Sequence, residues 1–129
     1  IFMDISSASL VKYSINTFLA SKVMFFKEIY EVFNKLKSND SWELFIKTLS
    51  LDKRIGESHM NVPGHDGKKG FGGACFPKDT AALLKYAEGI GVELHVLRAV
   101  INKNNIIRGQ YAQLDDREKE QNVSFDDKI

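Results

Sequence analysis

Residues 6–37 read SSASLVKYSINTFLASKVMFFKEIYEVFNKLK, and this stretch decides the fold. It contains no Pro or Gly, and apolar residues recur at helical spacing: Val11, Ile15 and Phe18, then Phe25, Ile29, Phe33 and Leu36. A second apolar row, Leu19, Val23, Phe26 and Tyr30, lies beside the first. Such a helix would span about 45–50 Å at 1.5 Å per residue, longer than one compact domain needs. Apolar on two sides and overlong, it is expected to pack against its own domain and against a second subunit.

Beyond it, Ser38-Asn39 breaks the pattern, and Asp40 with Glu43 three residues later reads as a capping box opening a short helix to about Thr48. Residues 50–78 hold six of the nine glycines, a long loop of the kind that is uncommon in a compact domain unless it carries function. Asp79 and Thr80 can cap a helix running to about Glu88, stopped by Gly89 and Gly91. A further helix from about Glu93 carries Leu94, Leu97 and Ile101 beside Val96 and Val100. No segment alternates with period two, so the expected fold class is all-α, with one very long helix. Residues 1–114 read as one helical domain, and residues 115–129 as a solvated acidic tail or a truncated connection.

Composition excludes several classes. Hydrophobic residues at 43% are too many for a disordered chain, and no apolar run is long enough to cross a membrane. A net charge of +1 gives no electrostatic case for nucleic acid or an anionic membrane as partner. Residues 115–129 hold six acids against three bases, which leaves residues 1–114 with fifteen bases against eleven acids and a body suited to an anionic ligand. A single cysteine excludes an internal disulfide and, with no signal-peptide pattern, points to a cytoplasmic setting. The chain opens on Ile1 and is expected to be a fragment or an excised domain.

Cys75 sits just before a predicted helix start with bases nearby, where the helix end and the cations favour thiolate over thiol; the alternative is a buried, inert cysteine. The flanking glycines allow backbone to approach a ligand closely, or simply make a flexible loop. Asp79 lies four residues beyond Cys75, close enough to tune the thiol or orient a water, although its position alone suggests helix capping. Lys12 and Asn16, also four apart, project from one face of the long helix and can converge on one ligand oxygen, where they would stabilise an oxyanion; a lone helical lysine is otherwise a solvated side chain. Residues 64–69, GHDGKK, lack the spacing of a phosphate loop, and Gly70-x-Gly72 is not completed into GxGxxG, so no cofactor site is assigned within the chain. His59, His65, Asp66 and Cys75 match no metal-ligand spacing, and no metal is expected.

Residues 70–79, GFGGACFPKD, resemble the GFGGxCFxKD signature of the UDP-glucose/GDP-mannose dehydrogenase family. Lys12 with Asn16-Thr17-Phe18-Leu19-Ala20 resembles the family's KxxxNxFLA helix, and residues 51–56, LDKRIG, its DxRIG segment. The resemblance runs over roughly residues 5–107 and covers the central domain alone, the helical dimerisation domain with a fold resembling the 6-phosphogluconate dehydrogenase C-terminal domain. It implies flanking Rossmann domains, neither visible in this sequence, that bind NAD and help bind the sugar nucleotide.

The implied activity is a four-electron oxidation of UDP-glucose to UDP-glucuronate in two hydride transfers. Cys75 matches the nucleophile, Lys12 and Asn16 the residues that bind the substrate oxygen, and Asp79 the carboxylate that assists base chemistry. Arg54 matches an arginine reaching the substrate of the neighbouring subunit, and Asn61, Phe71, Gly72 and Gly73 fall in the substrate-binding set. Residues 61–69, NVPGHDGKK, are longer than the family's usual Asn-Pro-Gly turn and leave open a relative acting on GDP-mannose or a UDP-N-acetylhexosamine. The isolated chain is expected to form a homodimer through the long helix and to catalyse nothing, and a pure dimerisation module is the competing reading.

Overall fold

The computed structural model of the protein describes residues 1–125. Five helices follow one another: α1 Ile5–Leu36, α2 Trp42–Leu49, α3 Cys75–Gly89, α4 His95–Arg108 and α5 Asp116–Glu120. The described residues contain no strand, and the fold is all-α as the sequence indicates. Helices α1, α3 and α4 pack on one another and form the core.

The Asp4 carboxylate accepts a hydrogen bond from the Ser6 backbone N–H and opens α1, and Lys37, in the left-handed region at φ 53°, closes it. The buried residues of α1 are Thr17, Ala20, Met24, Phe26 and Lys27, and the spacing of Thr17, Ala20, Met24 and Lys27 by three, four and three residues is that of one helical face. The second apolar row lies toward this face, with Phe26 buried and Leu19, Val23 and Tyr30 half-buried, whereas the first row turns largely outward. Phe18 and Phe25 are 66% and 58% exposed, and Val11, Ile15 and Leu36 also face outward. Of the five buried positions two are polar and one is a single methyl group, so hydrophobicity alone does not mark this face. Thr17 resolves its own polarity by donating to the Tyr13 carbonyl at 2.7 Å, and the Lys27 ammonium pairs with Glu31 one turn on.

Ala20 is fully buried where α1 meets the glycine loop and α4, and it packs with Met24, Phe71 and Ile107. A second cluster, Leu84, Leu97 and Ile101, joins α3 to α4. Helix α2 lies beside the C-terminal half of α1, where Trp42 meets Tyr30 edge to face at 5.1 Å and also contacts Phe33 and Phe45. Its indole N–H donates to the Met60 carbonyl at 3.1 Å, fixing the exit of the long loop.

Three boundaries differ from expectation. The cap of α2 is Ser41, whose hydroxyl accepts from the Leu44 N–H at 3.1 Å; Asp40 instead donates its backbone N–H to Ser38 Oγ. Helix α3 starts at Cys75 with no side-chain cap, so Asp79 and Thr80 lie inside it and cap nothing. Pro77 falls at its third position, where the backbone N–H has no intrahelical acceptor and its loss is tolerated. The acidic segment from Asp115 is not wholly solvated. Asp115 and Glu118 make a complete capping box that opens α5, Glu118 is fully buried, and Phe125 is buried as well. Asp126, Asp127 and Lys128 of that segment lie outside the described residues.

Ala20→Leu forces three further carbons between α1 and Phe71. We expect a stability loss of about 1–3 kcal/mol from overpacking, read as a lower urea midpoint with an unchanged slope, whereas the same substitution at exposed Ala82 leaves the midpoint in place.

Candidate active site

The glycine loop is held against α4 by side chains that sequence reasoning left without a role. Asn104, 1% exposed, accepts the Phe71 N–H at 2.7 Å and donates its amide to the Phe71 carbonyl at 2.9 Å. One turn on, Arg108 donates to the Gly70 carbonyl at 2.9 Å and to Asp66 Oδ2 at 2.8 Å. Glu118 accepts the Gly73 N–H at 2.8 Å on one oxygen and the Asp115 N–H at 2.9 Å on the other, with Arg108 Nη1 3.9 Å away. The Asp-x-x-Glu spacing of the capping box was readable in the sequence, and so was the four-residue separation of Asn104 and Arg108. What they grip was not.

Two of the glycines are required by this grip. A Cβ on Gly70 would stand 2.5 Å from Asn104 Oδ1, and one on Gly72 would stand 2.4 Å from both Arg108 Nη1 and Glu118 Oε2. Gly73 has open space around it, and its left-handed φ of 75° is the reason a glycine fits there.

Below the loop opens a cleft of about 620 Å³, lined by Cys75, Asn61, Phe71, Gly72 and Gly73 of the sequence-derived candidates, together with His59, Arg108 and Arg117. Cys75 is exposed at the first position of α3, which sets aside the buried, inert alternative. Behind it, one turn along α3, the 1%-exposed Asp79 accepts a hydrogen bond from Asn16 Nδ2 at 2.6 Å on Oδ2. Its other oxygen, Oδ1, accepts none, and Lys78 Nζ lies 3.9 Å from it. Asn16 and Asp79 are thus brought together across the α1–α3 contact, one turn of α3 from Cys75. Lys12 does not converge with Asn16: it is exposed, with its ammonium over the Tyr13 ring. Arg54 is also apart from the cleft, on the surface, donating to the Asp52 carboxylate at 2.6 Å.

His59 adopts a φ of 63° and tilts its ring against Phe76 at 5.6 Å. Burial, and secondarily the charges of Lys22 and His65, push its imidazole below the ordinary value, and its buried Nδ1 has no hydrogen-bond partner. For Asp66, burial acts to raise the carboxyl, but the hydrogen bonds from Arg108 and the Lys68 backbone together with nearby positive charge outweigh it and hold it below the usual range. Among the described residues no three His, Cys, Asp or Glu side chains stand together as metal ligands, and no helix is long and apolar enough to cross a membrane. Nor does any strand lead into a glycine turn, so the described residues do not fit a dinucleotide cradle.

The fold and site define a class: a helical domain that presents a single thiol at a helix start, beneath a pinned glycine loop and one turn from a buried carboxylate. Residues 6–106 match the central domain of the UDP-glucose/GDP-mannose dehydrogenase family. A UDP-glucose 6-dehydrogenase of Rickettsia felis is 38% identical over 101 residues, covering 78% of this chain and 21% of that protein. A UDP-glucose 6-dehydrogenase of Bacillus subtilis is 37% identical over 114 residues, covering 88% and 24%, and one of Haloferax volcanii is 37% identical over 101 residues, covering 78% and 22%. The chain belongs to the UDP-glucose/GDP-mannose dehydrogenase family, and it spans about a fifth to a quarter of the length of these relatives.

The lowered His59 value makes stability depend on pH. Above the ordinary value of 6.5 both folded and unfolded chains leave the ring neutral; below it the unfolded chain takes up a proton that the folded chain resists. Stability is therefore lost as pH falls towards the folded value. We expect melting temperature to decline from about pH 7.5 to about pH 5.5 and His59→Gln to flatten that decline; an identical slope in the variant would assign it to other groups.

Proposed function

We propose that this chain is the nucleophile-bearing part of an NAD-dependent enzyme that oxidises UDP-glucose to UDP-glucuronate. The observation that carries the reading is the half-used carboxylate of Asp79: buried, oriented by Asn16 through Oδ2, and left with Oδ1 open one helical turn from an exposed Cys75.

The chain's own residues would act in this order. After the first hydride has left C6 of the sugar, the Cys75 sulfur adds to the aldehyde carbon and forms a thiohemiacetal. Loss of the second hydride, with the hydroxyl proton passing to solvent, converts this to a thioester, and water attacks the thioester carbon, releasing the carboxylate and the thiol. Asp79 Oδ1 would accept a proton from that water, with Asn16 holding the carboxylate through Oδ2. Lys12, one turn before Asn16 on α1, would have to leave the Tyr13 ring to meet the substrate oxygen. Gly72 and Gly73 line the cleft beside the sulfur and would border the sugar, with Asn61 and Phe71 on the same wall. NAD, held outside this chain, would supply the hydride acceptor, one molecule for each of the two oxidations.

The outward row of α1, Val11, Ile15, Phe18 and Phe25, is the surface proposed for a second copy, and Arg54 would then reach the partner's substrate. By itself the chain would dimerise without turnover, in a cytoplasmic setting.

The parent enzyme is expected to form two NADH per UDP-glucose, with GDP-mannose and a UDP-N-acetylhexosamine much poorer substrates, and Cys75→Ser is expected to abolish the second oxidation. Full turnover in the serine variant would remove the cysteine from the mechanism. For the chain alone, sedimentation is expected to give a dimer that Phe18→Glu with Phe25→Glu converts to monomer; a wild-type monomer would move the interface elsewhere.

A further inference from the structure

The cleft wall beside Cys75 is built on a charged group that the family match does not reach. The match ends at residue 106, and both Arg108 and Glu118 lie beyond it. Their side chains are nonetheless almost fully enclosed, 3% and 1% exposed, and together they hold the two ends of the signature glycines: Arg108 takes the Gly70 carbonyl, Glu118 the Gly73 N–H. Gly73 is two residues before Cys75, and the intervening Ala74, the N-cap of α3, makes no side-chain cap hydrogen bond. The Glu118 carboxylate is therefore the nearest side-chain anchor upstream of the sulfur.

We propose that Glu118 and Arg108 are positioning residues for the nucleophile: a buried charged clamp fixes residues 70–73 and thereby sets how Cys75 is presented at the first turn of α3. The carboxylate is fully used, one oxygen on Gly73 and one on Asp115, and the capping box of α5 holds it in place. Asp66 completes the chain of contacts at the cleft rim, where its carboxylate accepts from the same Arg108 Nη1 that faces Glu118. The clamp also explains Gly72, whose missing Cβ leaves room for both charged groups. With the clamp released, the left-handed turn at Gly73 is free to relax and the first turn of α3 to fray, which removes the open N–H groups that favour a reactive sulfur at a helix start.

The inference rests on the proposed role of Cys75 for its consequence in turnover, but its test does not. Cys75 is the single cysteine of the chain and is already exposed, so a looser loop has no access to gain. The experiment is the rate of Cys75 alkylation at neutral pH in this chain, with neutral iodoacetamide and anionic iodoacetate, for the wild type, Glu118→Gln and Arg108→Lys. Glutamine has one acceptor oxygen for two backbone donors, and lysine keeps the charge without the fork. Both variants are expected to react about threefold or more slowly with iodoacetamide while retaining helical content by circular dichroism. Unchanged rates with a lowered melting temperature would reduce the pair to structural support and overturn the proposal. So would a rise in iodoacetate reactivity confined to Glu118→Gln, which would report its charge alone. If Glu118→Gln does not fold, Arg108→Lys decides by the same criterion. A parent enzyme whose Cys75→Ser variant still completes the oxidation would remove the nucleophile and leave slowed alkylation, and the clamp, standing.

Discussion

One buried amide decides where the long loop between α2 and α3 lies. Asn104 meets the backbone N–H and the carbonyl of Phe71 with its own acceptor and donor, so both halves of the peptide backbone at that residue are satisfied away from water. Losing such a partner leaves each group unsatisfied at about 1–3 kcal/mol, so the loop has one low-energy path across α4. The Phe71 ring is then delivered into the cluster of Ala20, Met24 and Ile107, which ties α1 and α4 to the loop at one point. Everything downstream inherits that register: Gly73 reaches Glu118, Cys75 opens α3, and Asp79 arrives opposite Asn16.

The signature glycines look different once this packing is known. A glycine-rich run beside a cysteine suggests clearance for a ligand, and Gly73, with open space around it and a positive φ, is free to serve that purpose. Gly70 and Gly72 are constrained from behind, by an amide oxygen and by a guanidinium–carboxylate pair. Their missing side chains make room for the protein's own buried polar groups. The same backbone segment thus faces the cleft on one side and a polar anchor on the other.

Sequence periodicity captured what hydrophobicity controls and missed what polar burial controls. The extent of α1 followed from thirty-two residues without a breaker, and the loop from its glycines. The core face of α1 was legible only in part: Val23 and Phe26 of the second apolar row pack inward, whereas Thr17, Ala20 and Lys27 gave no hydrophobic signal and the bulky Phe18 and Phe25 point outward. The start of α3 was placed four residues late for a related reason. Asp79-Thr80 after a proline has the form of a cap, but the helix begins without any side-chain cap, and the Asp79 carboxylate turns inward to Asn16. The resemblance to the family's motifs named candidate site residues along the chain but could not show that Lys12 and Asn16 have different environments here, one over a tyrosine ring and the other bonded to a carboxylate.

Two buried carboxylates flank the first turn of α3, and the difference between them separates support from chemistry. Glu118 accepts a backbone N–H on each oxygen and has Arg108 beside it, so both oxygens are engaged by the protein and its charge has a partner. Asp79 is equally removed from solvent, but it receives only the neutral amide of Asn16, and its second oxygen has the Lys78 ammonium at a distance too long for a hydrogen bond. A burial this incomplete in its hydrogen bonding is unfavourable in a purely structural role, because an uncompensated carboxylate oxygen is among the costlier groups to enclose. Of the two acids, Asp79 alone has an oxygen without a hydrogen bond, and it lies four residues from the exposed sulfur along α3. The saturated acid holds the loop that presents the thiol, and the unsaturated one is kept available to the chemistry proposed there.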